Sequence, residues 1–189
     1  MERLSAELLY LATNQNTQHM KQALIYTALF LVSGWAVAQN SVELEKRNGF
    51  KDIKLGTPVD SIKGITFKSE FTNKEGQLSK VYAVDNPAYK NIGDVMVESV
   101  ELTTYKGLIY IIKVITIKDT RLMKGMELAL GKSEWDLRNE QYFWKAENLT
   151  LTFKAIEKDK IELTYTSFPV LKKMKDDKKK EVEDIADDF

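Results

Sequence analysis

The chain has 189 residues with 28 basic and 28 acidic side chains, so its formal net charge is zero. It has no cysteine and one histidine, His19. That excludes disulfides, thiolate nucleophiles, lipid-modified cysteine and cysteine-ligated metal sites. At 43% apolar and 30% charged, the composition is that of an ordinary globular protein.

Residues 1–19 read as a polar, mildly amphipathic extension, either a misassigned start or an unusually long polar leader. From Met20 the pattern changes. Met20-Lys21 is a short basic start, residues 23–38 are apolar or small, and Ala36-Val37-Ala38 is a small-residue cleavage site before Gln39. Basic start, apolar run and small-residue end in that order are expected of a secretory signal peptide over 20–38. The alternative is an uncleaved anchor, but the run falls short of the roughly 20 apolar residues a spanning helix needs. The expected mature chain begins at Gln39, contains no histidine, and is periplasmic or secreted, with no stable membrane span.

Residues 39–49 are polar and read as a frayed lead-in. Phe50, Ile53 and Leu55 predict a short strand ending at Gly56. Thr57-Pro58-Val59-Asp60 reads as a short helix start, with Thr57 capping and Asp60 as the capping-box acid. Strands are predicted over 65–71, 78–84, 94–105 and 108–118, with turns at Gly76 and Asn86-Pro87 and a hairpin at Lys106-Gly107. The last run is apolar on both alternating faces, so it is expected to be central and covered on both sides, by a helix on one of them.

Leu122, Met126, Ala129 and Leu130 form a helical stripe that predicts a covering helix over 120–130, capped by Asp119 or Thr120 and ended by Gly131. Ser133-Glu134-Trp135-Asp136 offers a second cap-like sequence. Strands follow near 140–145, 149–155 and 160–166. Leu149, Leu151 and Phe153 alternate, as do Ile161, Leu163 and Tyr165, which describes a sheet with one wet face. In 171–189, Leu171, Met174, Val182, Ile185 and Phe189 share one face of a charged amphipathic helix. A loose charged tail is the other reading.

The expected fold is α+β: an antiparallel sheet built from two helix-plus-hairpin units, about 49–118 and 119–168, with short covering helices and a C-terminal helix. The similar runs beginning at Gly56-Thr57-Pro58 and Gly131-Lys132-Ser133 suggest the repeat, and 39–170 is read as one domain.

Few residues carry chemistry. Gly125 to Ser133 has five residues between its first glycine and Gly131-Lys132-Ser133, one too many for a phosphate loop, and lies in a helix and its exit. No serine has a histidine partner in the mature chain. Asp60, Glu98, Glu101 and Asp136 are the carboxylates a glycan hydrolase would have to pair. Asp184, Asp187 and Asp188 are a weak calcium candidate. Lys178 to Lys180 are flanked by acids, so no basic stripe for nucleic acid develops. Aromatics are more informative. Tyr142-Phe143-Trp144 puts rings on both faces of one strand. Phe143 is assigned to the core, and Tyr142 and Trp144, with Trp135 and Tyr165, to a partner-contact surface.

Taken together, the leader, Gly49-Phe50-Lys51-Asp52-Ile53-Lys54-Leu55-Gly56-Thr57-Pro58-Val59-Asp60, the helix ending at Gly131, Tyr142-Phe143-Trp144 and the hairpin Leu149 to Tyr165 resemble small exported proteins of unknown function from the Bacteroidetes. The resemblance covers about residues 49–170. More distantly, the layout resembles the two-module α/β architecture of β-lactamase inhibitory proteins and of small outer-membrane assembly lipoproteins. It implies a concave sheet that grips a protein, with no catalytic residue and no cofactor. The lipoproteins carry an acylated cysteine where this chain has Gln39, so lipid anchoring is not implied. The functional expectation is an exported non-enzymatic binder of an envelope protein or component. The alternative is a small envelope hydrolase using paired carboxylates on glycan or peptide. Oligomeric state is left open.

Overall fold

A computed structural model describes residues 39–74, 76–187 and 189 of the chain. The expected extension and export signal lie outside the described residues. Gln39–Phe189 forms a compact unit, and it is α+β.

The segment expected to fray is instead a helix, α1 (Ser41–Arg47). Asn40 caps it by accepting from the Glu43 amide, Glu43 pairs with Arg47 one turn on, and Leu44 is buried. One apolar anchor in seven residues leaves no periodicity to read, so the cap and the docking of Leu44 decide the outcome. Asn48 ends the helix in the left-handed region. The expected single strand is a tight hairpin, β1 (Gly49–Phe50) paired with β2 (Ile53–Lys54). Thr57 does not cap the next turn. Its hydroxyl donates to the Lys54 carbonyl, and Val59–Ser61 is one 3-10 turn with no side-chain cap. The predicted capping box is therefore absent.

The strands are β3 (Ile65–Thr72), β4 (Leu78–Val84), β5 (Asn91–Ile92), β6 (Val95–Tyr105) and β7 (Leu108–Ile117). Helix α2 (Thr120–Leu130) follows, then β8 (Glu134–Asp136), β9 (Gln141–Lys145), β10 (Leu149–Glu157) and β11 (Lys160–Ser167), and finally α3 (Phe168–Ala186). They pair antiparallel in the order β3-β4-β6-β7-β11-β10-β9-β8, with β5 added to β6. Each half of the sheet is a meander, and the halves join where β7 meets β11. The connection through α2 carries the chain to the far edge, from which β8 to β11 return to the centre.

The predicted second cap-like sequence is strand, not helix. Ser133 donates its hydroxyl back to Glu127 on α2, which leaves Glu134–Asp136 free to pair with β9. Asp136 caps the following turn by accepting from the Arg138 and Asn139 amides. Within 119–167 the helix is therefore α2 alone.

The main core lies on one sheet face, beneath α1, the β1–β2 hairpin and α2. Ile109, Ile112 and Val114 of β7 are fully buried there, with Leu149 and Leu151 of β10 and Leu163 of β11. Asp119 caps α2, whose Leu122 and Leu130 close the core from above. The opposite face carries Thr150, Thr152, Thr164 and Thr166 and the Lys113–Glu162 ion pair, the wet face the alternation predicts. Helix α3 covers part of it through Val170 and Met174 against Tyr105 and Tyr110, so β7 is covered on both sides. A buried polar chain backs this contact. Gln77 Nε2 donates to the Tyr105 hydroxyl (3.0 Å) and the Met174 carbonyl (2.7 Å), and Tyr105 donates to Asp177.

Only the first half of the predicted C-terminal stripe docks. Val182, Ile185 and Phe189 are exposed. Among the described residues, no helix is long and apolar enough to cross a membrane.

Candidate functional site

The residues assigned from sequence to a partner surface divide sharply. Trp144 is 1% exposed and its indole N–H donates to the Gly131 carbonyl at 2.8 Å. Tyr165 is also core, 9% exposed. Both are corrections: Trp144 lies beneath the exit of α2, and Tyr165 lies on the face that α1 and α2 cover. Phe143, assigned to the core, is half-buried. The β9 strand places Tyr142 and Trp144 on the same face, so the side-chain alternation is as expected and only the covering elements were missed. Trp135 and Tyr142 remain exposed, 49% and 40%, facing each other across the β8–β9 ladder with ring centroids 4.7 Å apart.

Of the candidate carboxylates, Asp136 is not brought near Glu98 or Glu101, which both lie on β6. Glu98 pairs with Lys160 and Glu101 with Lys68. Asp136 is four intervening strands away from β6. At about 4.8 Å per strand that is on the order of 24 Å, far beyond the roughly 5–9.5 Å of a glycosidase pair. Asp184 and Asp187 lie at the exposed end of α3, and no group of three acidic or histidine residues is placed to hold a metal among the described residues.

The structure instead opens a pocket of about 530 Å³ between α1, β1, the β5–β6 turn and α2. Its floor is Leu151, Leu163 and Tyr165 of β10 and β11, and its walls include Phe50, Leu122, Met126 and Leu130. The size and apolar lining are those of small-molecule sites. The same local events that shape the fold shape this pocket. The Asn40 amide donates to the Leu130 carbonyl at 2.6 Å and so ties α1 to the end of α2. The Gln39 side chain accepts from the Lys145 amide and donates to the Phe143 carbonyl, completing the β9 edge beyond β8.

The rim is charged. Arg121 spends three of its five N–H donors: Nε and Nη2 reach Asp119 and Nη1 reaches Asp94 at 2.8 Å. These bonds hold the Asp119 carboxyl down to about 2, with the Arg121 side-chain contact the largest cause, and lower Asp94 as well. Among the described residues Arg47 uses only Nε, on Glu43, and its side chain is 55% exposed. Lys51 donates to the Ala88 carbonyl and lies 5.7 Å from the Phe50 ring centroid. At the floor, burial pushes the Tyr165 phenol up to about 12, offset in part by the Arg47 charge. The Tyr165 hydroxyl has no hydrogen-bond partner among the described residues.

Gly125 lines the pocket from the interior of α2. Its φ is helical, and a Cβ built on it would meet none of the described residues within 4 Å. This was the one signal of the pocket visible in the sequence: a glycine inside a helical stripe, where it costs about 1 kcal/mol relative to alanine. Arg47 and Phe50 carried no such mark, because their meeting with α2 is tertiary.

No protein-family model, curated protein or solved structure matches the chain.

Proposed function

We propose that the protein is an exported, non-enzymatic binding protein whose ligand is a small molecule with an apolar body, held in the pocket between α1 and α2. The observation that carries this reading is the pocket itself: about 530 Å³, apolar in floor and walls, with a glycine in its helical wall where a Cβ would meet none of the described residues. Its titratable groups favour holding over turnover. Asp94 is lowered and Tyr165 raised, both away from the near-neutral range a general acid or base requires. The test is a titration with the neutral fluorophore N-phenyl-1-naphthylamine. One-to-one binding is expected, lost in Gly125→Leu with thermal stability retained or raised. No binding by the wild-type protein, or unchanged binding by Gly125→Leu, refutes the reading.

A second reading rests on the exposed Trp135–Tyr142 pair at the β8 edge, beside Leu137 at 81% exposure. An edge strand with an aromatic pair suits addition of an extended segment from an envelope protein. Pull-down from envelope extract with Trp135→Ala and Tyr142→Ala tests it, and an unchanged set of partners rejects it.

A further inference from the structure

We infer that the pocket takes a single-chain amphiphile with an anionic head, a long-chain carboxylate, with the carboxylate at Arg47 and the chain running over Gly125. The inference rests on the binding reading above and adds the ligand's charge and orientation.

Three observations converge on it. The charges are asymmetric: Arg47, Lys51 and Arg121 line the pocket against one carboxylate, Asp94. Arg121 spends three of its five N–H donors on Asp94 and Asp119, whose charges offset its own. Arg47 is available. A guanidinium carries five N–H donors in a fork that matches a carboxylate, and among the described residues Arg47 spends one of them, on Glu43. Lys51 adds a second positive charge at the same opening.

The second observation is the Tyr165 hydroxyl. It is a polar group on a side chain 9% exposed in the pocket floor, with no hydrogen-bond partner among the described residues. The hydroxyl is not among the buried unpaired atoms, so it opens into the pocket and can donate to a ligand's head. The third is the shape of the space. The Cβ-free strip at Gly125 lets a thin chain approach the α2 backbone, and Leu130, Leu151 and Leu163 offer it only apolar contacts. A bulky or polyhydroxylated ligand would leave those groups unmatched. A flexible alkyl chain with one charged end satisfies all three features.

Competition against N-phenyl-1-naphthylamine separates this inference from the binding reading. Decanoate and decanol share a chain and differ in the head. Below their aggregation concentrations, decanoate is expected to bind about tenfold or more tightly than decanol, the gain of a charge-assisted pair. Arg47→Met should bring the two within about twofold, while Arg47→Lys restores part of the difference. Fluorophore affinity in Arg47→Met reports that the pocket is intact. Equal affinity of decanoate and decanol for the wild-type protein overturns the anionic-head inference and leaves the pocket reading standing. Discrimination that survives Arg47→Met overturns the placement of the head. Failure of the fluorophore itself to bind overturns the binding reading.

Discussion

Trp144 tests whether the aromatic strand serves as core or as contact. As core, the residue fills the space beneath the exit of α2 at 1% exposure, and its indole N–H satisfies the Gly131 carbonyl at 2.8 Å. Truncating a buried tryptophan to alanine costs about 3–5 kcal/mol from lost burial and the cavity left behind. The lost hydrogen bond adds about 1 kcal/mol. For a unit of this size each kcal/mol moves the midpoint by about 2–4 °C, so Trp144→Ala is expected to lower Tm by roughly 8–24 °C. Trp144→Phe keeps most of the apolar volume and loses the donor, so its shift is smaller. Tyr142→Ala, at an exposed position, loses only the ring contact with Trp135, about 1 kcal/mol. Calorimetry or near-ultraviolet circular dichroism on the three variants reads the difference. A Trp144→Ala midpoint within about 3 °C of wild type would refute the burial argument, and with it the tie between β9 and the α2 wall of the pocket.

Other perturbations probe separate parts of the fold. Gly49 has φ +142°, and a Cβ there would stand 2.2 Å from the Ile53 carbonyl oxygen across the β1–β2 hairpin. Gly49→Ala therefore adds a backbone clash to a conformational cost of about 1–3 kcal/mol, and urea unfolding should show the loss, whereas Gly125→Leu should show none. Asp177 is held well below the ordinary carboxylate range, first by Lys106 and then by Lys173. A depressed folded-state pKa contributes stability that is present above the unfolded value, about 3.9, and is lost as pH falls through the folded value. The stability gap between wild type and Asp177→Asn should thus be full at neutral pH and close only in strong acid. A gap that closes between pH 7 and 5 would contradict this. Within the pocket, each methylene added to a linear carboxylate should tighten binding about fourfold, from about 0.8 kcal/mol per buried CH₂, until the space is filled. A flat series would place the chain outside the pocket.

The sequence by itself determined the longer strands, the α2 stripe, the wet face and the α+β class. Each of those is a local period, two for a strand and 3.6 for a helix, and the period survives whatever the element packs against. The sequence also determined that Tyr142 and Trp144 share a face. Which of those rings meets water depended on Gln39, Gly131 and the end of α2, which arrive from elsewhere in the chain. The same holds for α1. Its seven residues have no readable period, and they are helical because Asn40 caps them and Leu44 has a core to enter. Ser133 looked like a cap and became a tether to Glu127, because a hydroxyl takes whichever acceptor the fold brings near. The pocket belongs wholly to this second category. It exists where α1, the first hairpin and α2 fail to meet over β10 and β11, and a gap between elements distant in sequence has no signature in any one of them. Only Gly125 hinted at it, as a helix residue beside which a Cβ would meet none of the described residues.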